Sequence, residues 1–175
     1  MLWLADAIEA IRDFMNLGGP VLRAIAVTIF LMWVLIVERI IYFRSSMKKM
    51  SRDIHDQWES RPERQSWNAK QIRELMISRF NEASTKGINI IQTLVALCPL
   101  LGLLGTVTGM ISVFQVMAVS GSGNVRAMAA GVSQATVPTM AGMVGALSGV
   151  LLITLLSRRA AHEVEFLEDS LTMDH

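Results

Sequence analysis

Five polar side chains could do chemistry in a stretch of sequence that holds almost no charge. Between Gly87 and Ser157 the only charged residue is Arg126, and Thr106, Ser133, Gln134, Thr136 and Thr139 lie among apolar, small and hydroxyl residues. A hydroxyl can donate and accept a hydrogen bond, and an amide can do both as well. Such a set can solvate an acid that gains and loses a proton. It cannot titrate itself, because no Asp, Glu, Lys or His occurs in this stretch. Proton relays in membranes ordinarily use such groups despite a cost of about 2.5–3.5 kcal/mol on insertion scales. If protons move here, the titrating carboxylate belongs to another chain, and this one is a polar sleeve around it.

Other chemistries find no support. The chain has one cysteine, Cys98, which excludes an internal disulfide; beside Pro99 in an apolar run it reads as a small buried side chain. His55, His162 and His175 lie far apart in polar segments. There is neither a metal-ligand spacing nor a nucleophile–base constellation, so no enzyme, metal or cofactor is expected. The net charge of +1 gives no bulk argument for nucleic-acid binding.

The polar residues must be positioned by helices. Half of the 175 residues are apolar, in blocks longer than the roughly 20 residues that span about 30 Å of hydrocarbon. The fold expected is an all-α integral membrane protein: three transmembrane helices extended into the cytoplasm, plus a short N-terminal amphipathic helix. That first helix covers 1–19, with Trp3, Ala7, Ile8, Ile11, Phe14 and Met15 at helical spacing and Asp6, Glu9 and Asp13 between them. It lacks the basic start of a secretory signal. Gly18, Gly19 and Pro20 end it. The first span covers 20–43, the second 88–119 and the third 126–156. A polar turn over 120–125 joins the last two.

The polar loop over 44–87 holds two amphipathic patterns separated by Pro62: Met47, Met50, Ile54 and Trp58, then Ile72, Leu75, Met76, Arg79 and Phe80. The tail, 157–175, reads as a short acidic helix with Val164, Leu167 and Leu171 on one face. From Glu38 to Gly87 there are eleven Lys/Arg, against Arg12 and Arg23 near the start and Arg126 in the second connection. The positive-inside rule puts the loop and tail in the cytoplasm and the N-terminus outside.

The last two spans carry stripes of small residues. Gly102, Gly105 and Gly109 recur in the second; Ala135, Thr139, Gly142, Ala146 and Gly149 recur in the third. In lipid, close approach of small residues replaces the hydrophobic force between helices. The stripes predict a tight antiparallel pair inside an oligomer. Thr106 lies eleven residues from Met117, and Thr139 thirteen from Arg126. At about 1.5 Å per residue both fall roughly 16–20 Å deep, near mid-membrane. Two readings of these hydroxyls stay open: each bonds a carbonyl one turn back, or together they make a polar path. Pro138 distorts the third span by removing a donor and freeing a carbonyl near Gln134.

The run from Leu97 to Met110 (LCPLLGLLGTVTGM) resembles the second-span signature of the ExbB/TolQ/MotA proton-channel family, and the run from Gly131 to Gly142 (GVSQATVPTMAG) resembles its third. The compact length is most similar to an ExbB of a TonB system. The resemblance implies a homopentamer in the bacterial inner membrane, with a periplasmic N-terminus and a cytoplasmic C-terminus, whose second and third spans line a lumen. ExbD-like helices, each with a titrating Asp, would occupy that lumen, and the complex would drive a TonB-like protein that opens outer-membrane receptors for siderophores, haem or cobalamin. Thr106 and Thr139 look like the family's lumen threonines. At Gln134 well-known members often carry Glu, so this chain lacks a titratable group there. Rival readings are a TolQ-like subunit of the envelope-constriction system and a non-conducting membrane scaffold.

Overall fold

The computed structural model describes residues 2–64, 66–120 and 125–171. Among them every element is helical. They are α1 (Leu2–Leu17), α2 (Gly19–Tyr42), a π-helical turn (Phe43–Met47), α3 (Lys48–Glu59), α4 (Trp67–Thr85), α5 (Ile88–Ser120) and α6 (Val125–Ser170). The stretches Gly19–Glu59, Trp67–Val119 and Val125–Ser170 are each long and apolar enough to cross a membrane. The chain is therefore an all-helical membrane protein with three candidate spans. The expected turn over 120–125 falls largely on residues 121–124, and the end of the tail on 172–175; both lie outside the described residues.

Local chemistry explains the breaks. Gly19 adopts φ +64°, a conformation that costs a residue with a Cβ about 1–2 kcal/mol. Pro20 follows in the first turn of α2, where its missing N–H costs nothing. Between α3 and α4, Pro62 stops the helix and Ser66 starts the next, its hydroxyl oxygen accepting from the Ala69 N–H at 3.2 Å. Gly87, at φ +82°, separates α4 from α5. The sequence reading divides the third span from a tail helix at 156/157. In the structure α6 runs unbroken for 46 residues, because Ser157 to Ala161 contains no helix breaker.

The chain divides into two compact units, residues 1–33 with 93–150, and residues 34–92 with the chain from 151 onward. In the first, Leu22, Ile25 and Met32 of α2, Val95, Cys98 and Val113 of α5, and Ala135 and Ala146 of α6 are buried. In α1, Ile8, Ile11, Phe14 and Leu17 are all exposed, so its apolar face is left for a membrane interface or a partner.

In the second unit, Met47, Ile54, Trp58, Ala69, Phe80, Leu167 and Leu171 form one core, with Met50, Met76 and Val164 packed against it. Each large buried side chain there contributes about 1.5–3 kcal/mol. Arg73 closes the end of α6, donating to the carbonyls of Glu168 at 2.7 Å and Leu171 at 2.8 Å. The Leu75 side chain, part of the expected amphipathic pattern, is exposed.

Candidate functional site

The site is built on the seam between α5 and α6. The two helices run antiparallel in a register read from their closest approaches: Cys98 with Gly142, Gly102 with Thr139, Gly105 with Pro138 and Gly109 with Ala135. A Cβ on Gly142 would stand 2.5 Å from the Cys98 carbonyl oxygen, and one on Gly109 2.5 Å from Cα of Ala135. The backbones touch there, and only the absence of side chains permits it. Gly102 faces Thr139, Gly105 faces the ring of Pro138, and Gly149 faces Val95 and Met32; Ala146 is buried. The small-residue stripes are consumed by this pair within one chain. Cys98 is fully enclosed at the same seam, its thiol donating to the Leu94 carbonyl at 3.3 Å.

Thr139 uses its hydroxyl across the seam. Its Oγ1 donates to the Gly102 carbonyl at 3.0 Å, with the Ala135 carbonyl at 3.5 Å. Thr106 follows Gly102 by one helical turn on the same face, and donates to the Leu103 carbonyl at 2.7 Å. Thr136, nearly one turn before Thr139, donates to the Val132 and Ser133 carbonyls at 3.2 and 3.3 Å. Ser133 is exposed beyond it on the outward side of α6. Thr106, Thr136 and Thr139 thus stand along one edge of the seam. The two readings of the hydroxyls divide between residues: Thr106 and Thr136 bond back along their own helix, and Thr139 ties two helices together. Each hydroxyl has committed its hydrogen to a carbonyl. What each still offers is oxygen lone pairs.

Gln134 is not with them. It lies on the opposite edge, where a Cβ on Gly19 would come within 2.8 Å of its Nε2. There it lines a cavity of about 110 Å³ with Gly18, Pro20, Val21, Thr108, Gly109 and Ser112. Of the five polar residues, Thr106, Thr136 and Thr139 share one edge, Gln134 lies on the other, and Ser133 is exposed away from both. The physical reason is helical periodicity, which turns Gln134 about 140° away from Thr139; the first turn of α2 packs on the Gln134 side, with Val21 approaching Gly105 and Gly19 approaching Gln134. Thr108 and Ser112 of this second polar cluster went unnoticed in the sequence. The signal was available: with Gly109 they fall on one edge of α5, one turn apart. Pro138 is buried, its ring packed against Gly105.

A larger apolar groove of about 560 Å³ is lined by Phe14, Ile29, Trp33, Val137, Met140 and Ser148, among others. No group of three or more potential metal-binding side chains occurs among the described residues.

Comparison with known proteins adds the identity of this architecture. A curated relative from Synechocystis sp., named as an ExbB-like biopolymer transport protein, is 34% identical over 84 residues. The match covers 46% of this chain and 33% of the relative, so the chain aligns with about a third of that protein's length. No solved structure matches the chain. Residues 38–169, which include both small-residue helices and the whole of the threonine edge, match the MotA/TolQ/ExbB proton channel family, and the chain belongs to that family.

Proposed function

We propose that this chain is an ExbB-like subunit of a proton-driven inner-membrane motor, in which several copies, five by resemblance, form a sleeve around an ExbD-like guest helix, and that the motor energises TonB-dependent import. The observation that carries this reading is the threonine edge. Thr106, Thr136 and Thr139 line one side of the α5–α6 seam, in a region without a single titratable carboxylate.

The hydrogen bonds give the edge a chemical preference. A hydroxyl whose hydrogen is already bonded accepts readily but donates only by breaking its own bond. A carboxylic acid on a guest helix can donate to these oxygens; a carboxylate can only accept. The edge therefore stabilises the guest acid in its protonated, neutral form at mid-membrane depth. Deprotonation removes that bond and leaves a charge that seeks water. Alternation between these states pushes the guest out of and back into register with the edge. One elementary charge moved through the membrane field is worth about 2.3 kcal/mol per 100 mV, enough to bias such steps.

In this reading, the basic loop and tail face the cytoplasm and the N-terminus faces the periplasm, following the positive-inside rule. The test is the composition of the complex purified from its native membrane. Recovery of several copies with a single-span, Asp-bearing guest and a TonB-like protein supports the reading. Recovery with a TolA-like protein would assign the motor to envelope constriction instead. Recovery of homo-oligomers with no guest would leave only the scaffold.

A further inference from the structure

Gln134 of α6 and Ser112 of α5 are both partly buried, and among the described residues neither side chain bonds to a protein group. Both line the cavity of about 110 Å³ at the α1–α2 corner, with Thr108 opposite Gly18, Pro20 and Val21. Thr108 has committed its hydrogen, donating to the carbonyls of Leu104 at 3.0 Å and Gly105 at 3.1 Å, and keeps only lone pairs to offer. The corner comes close to the amide: a Cβ on Gly19 would stand 2.8 Å from Gln134 Nε2.

These groups lie inside the span. Ser112 is five residues from Met117, and Gln134 eight from Arg126. At about 1.5 Å per residue they sit roughly 8 and 12 Å below the outer ends of their helices. An amide and a hydroxyl at that depth, without partners, carry an unfavourable desolvation cost that any hydrogen-bonding occupant of the cavity relieves.

The lining selects the occupant. An acyl chain would leave the amide and the hydroxyl unpaired. A cation would find neutral oxygens and the Gln134 amide donors, and no carboxylate lines the cavity. Water both donates and accepts. It can accept from the Gln134 NH₂ and the Ser112 hydroxyl and donate to the Gln134 carbonyl, Ser112 Oγ and Thr108 Oγ1. One water needs about 10–15 Å³ and two to four polar partners, and this cavity offers room and partners for more than one. We infer that the pocket is a binding site for a cluster of ordered waters, which bridges Gln134 and Ser112 and ties the α1–α2 corner to the α5–α6 pair.

The test is radiolytic footprinting of the full chain in its oligomer, in lipid vesicles, with mass spectrometry of the oxidised side chains. Hydroxyl radicals made from a bound water mark the side chains beside it. Pro20 and Val21 should be marked well above Val27, which is exposed on the same helix. Gln134→Leu and Ser112→Ala should each lower the marking of Pro20 and Val21 toward the level of Val27. Equal marking of Pro20, Val21 and Val27 in wild type would overturn the inference, a comparison that stands even if the variants fail to fold. So would marking unchanged in both variants. Thermal stabilisation by sodium over choline at equal ionic strength, lost in Gln134→Leu, would show a cation site, and density for a lipid tail or a neighbouring chain's side chain in the pocket of the oligomer would show another occupant; either result overturns the water assignment.

Discussion

The hydroxyl of Thr139 on α6 reaches the carbonyl of Gly102 on α5 at 3.0 Å, joining two antiparallel helices at the point where Gly102 has no side chain to hold them apart. The same residue carries structure, through its hydrogen, and offers chemistry, through its lone pairs. The two roles separate under substitution.

Thr139→Ala removes both. Loss of the interhelical bond should cost stability by about 0.6 kcal/mol, with roughly 1.7 as an upper bound for membrane proteins, so the fold and assembly survive. Guest-dependent proton flux should fall by about tenfold, the factor that corresponds to 1.4 kcal/mol on the barrier. Thr139→Ser restores the hydroxyl and should recover most of the flux. Thr106→Ala, which touches no interhelical bond, should lower flux with no change in thermal stability. Normal energy-dependent uptake in both alanine variants would remove the threonine edge from the mechanism.

Gln134→Leu separates the two edges of the seam. Gln134 faces Gly19 and the small cavity rather than the threonines. Flux should stay within about twofold of wild type (a change of about 0.4 kcal/mol on the barrier), because the threonine edge is intact. A loss as large as that of Thr139→Ala, measured in the same vesicles, would put the proton path on the Gln134 side.

Gly142→Leu places a side chain against the Cys98 carbonyl. Overpacking commonly costs about 1–3 kcal/mol, and contact with backbone leaves little room to relax. The α5–α6 pair within each chain should open first, seen as loss of helical protection at 98–109 and 135–146 by hydrogen exchange, with oligomer loss following. Unchanged exchange and unchanged native mass would contradict the seam as described.

Leu167→Ala tests the second unit. Its side chain is fully enclosed in the core with Trp58 and Phe80. The substitution should destabilise that unit by about 2–5 kcal/mol, read as faster exchange in α3 and α4 while 93–120 keeps its protection.

The existence of the helices was legible because hydrophobic blocks of membrane length and paired small-residue stripes are strong, local signals. Gly142 and Gly109 could be read as packing positions from spacing alone. What spacing could not show was which helix each face meets. Gln134 and Thr139 are five residues apart, which puts them about 140° apart on α6 whatever packs around it; the sequence did not say that α2 would cover the Gln134 side. The unbroken α6 was missed for a related reason. The change from apolar to acidic sequence near Ser157 looks like a boundary, but composition can change along a helix without ending it.

Proton flux into vesicles of purified protein tests the borrowed acid most directly. With this chain alone, flux should match empty vesicles; with an Asp-bearing single-span guest it should rise well above them, and with the guest's Asp→Asn variant it should return to background. Flux through this chain without any guest, or flux that persists when the guest acid is gone, would contradict it.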